Sequence, residues 1–147
     1  MAVEIVIAGD ECKLTLKVVR YEFGEAQDYH DANWLVTDAE LVAGSTGHFE
    51  ARCEVTIRTT ELLDFRDGVR RAIESHSGSP RLDHMEEQVG CTIAVAGTKA
   101  ELSAFIKEHV GAELSASQCK MDERQLKRTL RDLDAAVEAF PVRNRPD

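Results

Sequence analysis

Aromatic side chains are scarce in this chain of 147 residues, at 5% of the composition, with one Trp and two Tyr. Positive charge is also short. Lys and Arg number 18 against 27 Asp and Glu, a formal net charge of −9. That balance argues against a nucleic-acid partner, because affinity for a phosphate backbone comes from Lys and Arg. It argues equally against docking on an anionic membrane. No apolar run approaches the roughly 20 residues of a membrane-spanning helix. The amino terminus lacks the basic segment and apolar core of a secretory signal, so a cytoplasmic location is expected. The four cysteines, Cys12, Cys53, Cys91 and Cys119, form no C-x-x-C pair. They read as reduced, mostly buried small hydrophobes, and no zinc site is expected. Signatures of nucleophilic, metalloprotease or phosphate-loop chemistry are missing too. His76, His84 and His109 are scattered, and no cofactor is expected.

What is present is one domain's worth of chain, spanning 1–147. At this length roughly 70% of the unfolded surface is buried on folding, enough for one hydrophobic core. Between Tyr21 and Ala51 lie seven carboxylates and no Lys or Arg. The only Trp and both Tyr fall inside that stretch. Acids beside aromatic anchors suit a cationic protein partner. Glu22, Glu25, Asp28, Tyr29, His30 and Asp31 are the candidate contact residues. For Asp31, Asn33 and Trp34 a structural role competes. The two polar side chains can tie the loop to the backbone, and Trp34 can plug one end of the core. A carboxylate–imidazole pair in Asp28-Tyr29-His30-Asp31 has the bland alternative of a solvated loop.

Hydrophobic periodicity outlines the fold. Val3, Ile5 and Ile7 alternate, as do Leu14, Leu16 and Val18, predicting a hairpin around Gly9-Asp10. A loop follows over 24 to 32, then strands over 33 to 43 and 48 to 58. Gly9, Gly44, Gly47 and Gly97 all fall at hairpin turns, where glycine supplies positive φ. In the fourth strand Phe49, Ala51, Cys53, Val55 and Ile57 face one way and charged or polar residues the other, a strand with one wet face. From Thr60 the period becomes helical through Leu62, Phe65, Val69 and Ala72, with Thr59 or Thr60 as cap. Leu82 to Glu86 reads as a short strand, and Cys91, Ile93 and Val95 alternate. Residues 100 to 110 fit helix or strand, and 112 to 121 alternate again. Asp122 and Gln125 form a capping box for a last helix through Leu126, Leu133 and Val137 that Pro141 stops. Arg66, Arg70 and Arg71 on one helix and Arg124, Lys127, Arg128 and Arg131 on the other read as solvated faces. The expectation is an α+β domain, largely antiparallel sheet with two packed helices in the order ββββ-α-βββ-α. Its halves, 1–78 and 79–147, echo each other as strands followed by a helix.

Tyr21-Glu22-Phe23 followed by Asp31-Ala32-Asn33-Trp34-Leu35 resembles a bacterial group, the wall-associated-protein immunity (WapI-type) family. Thr60-Glu61-Leu62, Leu82 with Met85-Glu86, Asp122 to Leu126 and Phe140-Pro141 extend the likeness along the chain. Gly24 stands where the family has Pro, and His30 where an aromatic is common. The resemblance tips 100 to 110 towards strand. It implies a non-catalytic immunity protein that binds and blocks the toxic C-terminal domain of a contact-delivered toxin, often a basic nuclease. Two alternatives from other classes stand beside it: a structural or regulatory self-associating domain, and a small-ligand carrier or enzyme with a pocket between sheet and helices. Self-association is left open.

Overall fold

The computed structural model describes residues 2–146. Strands β1 (Val3–Ala8), β2 (Cys12–Tyr21), β3 (Trp34–Ala43) and β4 (Phe49–Arg58) form one antiparallel sheet in chain order. A one-turn helix α1 (Tyr29–Ala32) interrupts the β2–β3 connection, and α2 (Thr59–Ser75) follows β4. The second sheet is β7 (Val89–Ala96), β8 (Lys99–Lys107) and β9 (Glu113–Met121), antiparallel, with two-residue strands β5 (Ser77–Gly78) and β6 (Arg81–Leu82) both on β7. Helix α3 (Glu123–Ala139) comes last. The α+β class, the strand succession and the strand at 100 to 110 are as expected. The strand read at Leu82 to Glu86 is corrected to the two residues of β6, which ends at Leu82, and α1 and β5 are additions too brief to leave a periodic signal.

Register explains the alternation. Ile5, Leu16, Ala39 and Cys53 align across the first sheet, as do Ile7, Leu14, Leu41 and Ala51. These rows face the core. On the wet face Glu4, Lys17, Asp38 and Glu54 align instead. In the second sheet Ile93, Leu102 and Cys119 form the matching apolar row. Leu62, Phe65 and Val69 of α2 and Leu126, Leu133 and Ala136 of α3 complete one apolar cluster with both sheets. Leu16 is fully buried there; truncating such a side chain to Ala costs about 2–5 kcal/mol.

The helix starts differ. The α3 capping box forms as read: the Asp122 N–H donates to Gln125 Oε1 and the Gln125 N–H to Asp122 Oδ1, both at 2.8 Å. At α2 neither threonine hydroxyl caps the helix. Glu61 Oε1 instead accepts the Arg58 N–H at 2.7 Å, and the Thr59 hydroxyl is spent on Asn33. The basic face of α2 is not simply solvated, because Arg66 and Arg70 both donate to Asp134 of α3 and clamp the two helices. Helix α3 runs along the outer edge of β1. There Asp132 accepts the Val6 N–H at 3.0 Å and the Thr129 hydroxyl donates to the Val6 carbonyl.

Cys12 of β2 and Cys119 of β9 form a disulfide across 107 residues, with their Cα atoms 6.1 Å apart. This corrects the reading of all four cysteines as free thiols; Cys53 and Cys91 remain free. The β1–β2 turn brings the pair together by packing on β9, where the Asp10 N–H donates to the Lys120 carbonyl at 2.8 Å. A Cβ at Gly9 would lie 2.9 Å from that carbonyl oxygen. Gly9 is therefore required for close approach, whereas Gly44 and Gly97 do supply positive φ.

The candidate partner-binding lobe

Residues 22–33 leave β2 and return to β3 as a small lobe at one end of the first sheet. The Glu22 N–H donates to the Trp34 carbonyl at 2.8 Å and closes its base. The Asp28 side chain accepts the His30 N–H at 3.2 Å and caps α1. Asn33 is buried, and its amide uses its full hydrogen-bonding capacity. Nδ2 donates to the Tyr29 carbonyl at 2.7 Å and the Arg143 carbonyl at 2.9 Å. Oδ1 accepts the Thr59 hydroxyl at 2.9 Å and the Arg143 N–H at 2.8 Å. One side chain thus ties the lobe, the start of α2 and the C-terminal segment.

Arg143 completes the knot. Its guanidinium donates to the carbonyls of Ala32, Gly24 and Phe23 at 2.6–3.1 Å and stacks 3.6 Å from the centre of the Tyr21 ring. The Tyr21 hydroxyl donates to the Pro141 carbonyl at 2.6 Å, and its ring packs edge-on against Phe140. Burial pushes the Tyr21 phenol above its ordinary range, against the opposing pull of the Arg143 charge. Asn144 donates to the Ala26 carbonyl at 3.1 Å. The segment after Pro141 is therefore the inner scaffold of the lobe. The sequence pattern marked it only as a tail, because a long-range Arg–carbonyl contact has no local periodicity.

The carboxylates take no part in this knot. Glu22, Glu25, Asp28 and Asp31 are exposed. Among the described residues, ion pairs form elsewhere, as at Arg52–Glu40 and Arg66–Asp134, and none reaches these four. Two guanidiniums lie close, Arg143 and Arg20, but both donate to backbone carbonyls. Tyr29 is half-buried with the His30 ring edge-on to it at 5.6 Å, and His30 is exposed. All six candidate residues thus lie on the same lobe, and Phe23, 47% exposed, joins them as an apolar neighbour that the sequence reading passed over. The structural roles divide unevenly. Asn33 ties the loop as weighed, whereas Asp31 makes no such bond among the described residues. Trp34 is half-buried at the start of β3, with the Arg58 guanidinium 5.9 Å from its ring.

The buried titratable groups His84 and Glu61 have structural work. His84 is buried. Its Nδ1 accepts the Gln88 N–H at 3.2 Å, which fixes the proton on Nε2 for donation to the Thr56 carbonyl at 2.6 Å. Buried Glu61 accepts from the Arg58 and Met85 backbones. Among the described residues no three His, Cys, Asp or Glu side chains converge as a metal site would require.

A family model described as the immunity protein WapI-like family matches residues 5–141. The chain belongs to that family. Membership gives it an immunity-type function, and with it a partner of the toxin class. No curated protein matches the chain. Among solved structures it is similar to WHY1 from Arabidopsis thaliana, at TM-score 0.56 and 10% identity, over 97% of this chain and 86% of that one. It is also similar to the plant transcriptional regulator PBF-2, at TM-score 0.51 and 10% identity, over 95% and 88%. At that identity the likeness is one of fold alone.

Proposed function

We propose that the chain is a non-catalytic immunity protein whose lobe at residues 22–31 docks on a basic toxin domain. The observation that supports this most is the division of labour within the lobe. Its backbone is tied by Asn33 and Arg143, while its four carboxylates are left exposed and unpaired. A surface held in place before contact loses less conformational freedom on binding. The four exposed carboxylates, none of them in an ion pair among the described residues, give the lobe a negative field. Such a field can raise the association rate with a cationic partner by about one to three orders of magnitude. Phe23 and Tyr29 offer the apolar contact that charge alone does not give.

The test is calorimetric titration against a toxin domain that co-purifies with this chain from its native host. Glu25→Lys with Asp28→Lys is expected to weaken binding at least tenfold, and added salt to weaken the native pair. Unchanged affinity in the double variant would move the binding face elsewhere on the molecule.

A further inference from the structure

The sheets end in strand edges that are covered to different extents. Helix α3 covers β1 through Asp132 and Thr129. Strands β5 and β6 pair with β7, and the Pro80 carbonyl accepts the Ile93 N–H. Strand β9 is met at Lys120 by Asp10 and is bent by Gln118, a non-glycine residue at φ +59°, which breaks the edge, although among the described residues 113–117 have no outer backbone partner. Strand β4 pairs only with β3.

The orientation of the β4 backbone follows from one bond. The Thr56 carbonyl turns away from β3, because His84 reaches it from outside the sheet. Alternation along an antiparallel strand then turns the N–H and C=O groups of Glu50, Arg52 and Glu54 outward as well. Among the described residues no backbone-to-backbone hydrogen bond outside the β3 ladder reaches residues 49–55, and only the Cys53 thiol touches an outward carbonyl, that of Glu54 at 3.5 Å. The strand is also exposed here: Phe49 is 58% exposed, and Glu50, Arg52 and Glu54 face solvent. An open strand edge is a template for another strand.

We propose that the occupant is a second copy of this chain, joined β4 to β4, antiparallel, about a two-fold axis at Ala51. Charge complementarity favours this partner and register, with Glu50 and Arg52 exchanging their present in-chain pairing, in which Arg52 also meets Glu40, for contacts across the axis. Centred on Ala51, Glu50 of each copy lies opposite Arg52 of the other, His48 opposite Glu54, and Phe49 opposite Cys53. The outward-facing residues fall opposite one another, as a hydrogen-bonded ladder needs. Centring on Glu50 or Arg52 sets like charges face to face, which is unfavourable. Centring on Cys53 carries the ladder to Thr56, whose carbonyl His84 already holds. The acidic lobe lies beyond the opposite end of β4, about seven residues or ~23 Å from Ala51. Both lobes of the dimer stay free, and the inference stands whether or not the lobe binds a toxin.

Sedimentation equilibrium of the full chain tests this, with thermal melts confirming that each variant folds. Arg52→Glu and Glu50→Arg are each expected to weaken dimerisation at least tenfold, and the combined swap to restore it, because opposite charges again face each other. In Phe49→Cys, oxidised glutathione is expected to link the new thiol to Cys53 of the second copy, since facing non-hydrogen-bonded positions lie within disulfide reach. A native chain that stays monomeric at millimolar concentration overturns the proposal. So does a dimer indifferent to Arg52→Glu, or a Cys53–Cys53 link as the main product.

Discussion

The two ends of the first sheet are held by opposite means. At the lobe end a polar knot does the work, with Asn33 and Arg143 drawing together segments more than a hundred residues apart. At the far end Cys12 is bonded to Cys119 and the first half of β4 is left open, with Phe49 in solvent. Hydrogen bonds fix directions as well as distances, so the knot sets the shape of the lobe. A covalent bridge fixes one point and leaves the neighbouring strand surface free. The proposed docking end calls for a defined shape, and the proposed joining end only for an accessible edge.

The largest expected effect comes from removing the bridge. Cys12→Ser with Cys119→Ser should lower stability by about 2–5 kcal/mol, because a closure of this span restrains the unfolded chain strongly. Denaturant titration with and without reductant measures it, and a native chain indifferent to reductant would break the contrast between the ends. Asn33→Ala should cost about 2–4 kcal/mol by the same measurement, since it strands the buried donors of Thr59 and Arg143. Arg143→Ala should cost about 1.5–3 kcal/mol, reflecting lost charge-assisted bonds. It should also speed proteolysis within 22–32 while β4 stays resistant. Equal protection of both segments would show that the knot is not what shapes the lobe.

The interior gives a smaller, pH-dependent effect. Burial pushes the Cys91 thiol from 9.0 up to about 12. The folded state keeps this proton where the unfolded chain has begun to lose it. The contribution is therefore full below pH 9 and is lost as pH rises towards 12, at most ~1.4 kcal/mol per pH unit. Cys91→Ala should flatten the alkaline limb of the stability curve by that slope. Smallest of all, Phe49→Ser should leave stability within about 0.5 kcal/mol, as expected for an exposed site. A large loss there would mean that the far end is packed rather than open.

Much of the fold was legible because burial and periodicity agree. Ile5, Leu16 and Ile57 face the core as their alternation required, and Asp122 and Gln125 cap α3 as their spacing required. Residues 100 to 110 illustrate the limit: both periods fit, the flanking strands and short turns favoured a meander, and the family likeness tipped the reading to strand. The acidic lobe was legible as composition, and its six contact candidates lie on that one lobe. Its scaffold was not. Arg143 lies far from its partners in sequence, and nothing about an Arg two residues past a Pro foretells four carbonyl bonds. The Cys12–Cys119 bridge was hidden for the same reason, since its two cysteines meet only once the β1–β2 turn has packed on β9. Thr59 looked like a cap by position, yet buried Asn33 had the stronger need for its hydroxyl.

Hydrogen exchange of the chain alone and bound to its toxin domain tests the central claim most directly. Amides at residues 22–33 should gain protection in the complex while those of the wet face, at Lys17, Asp38 and Glu54, stay unchanged. Protection of the wet face with none at 22–33 would contradict the assignment of the acidic lobe as the docking surface.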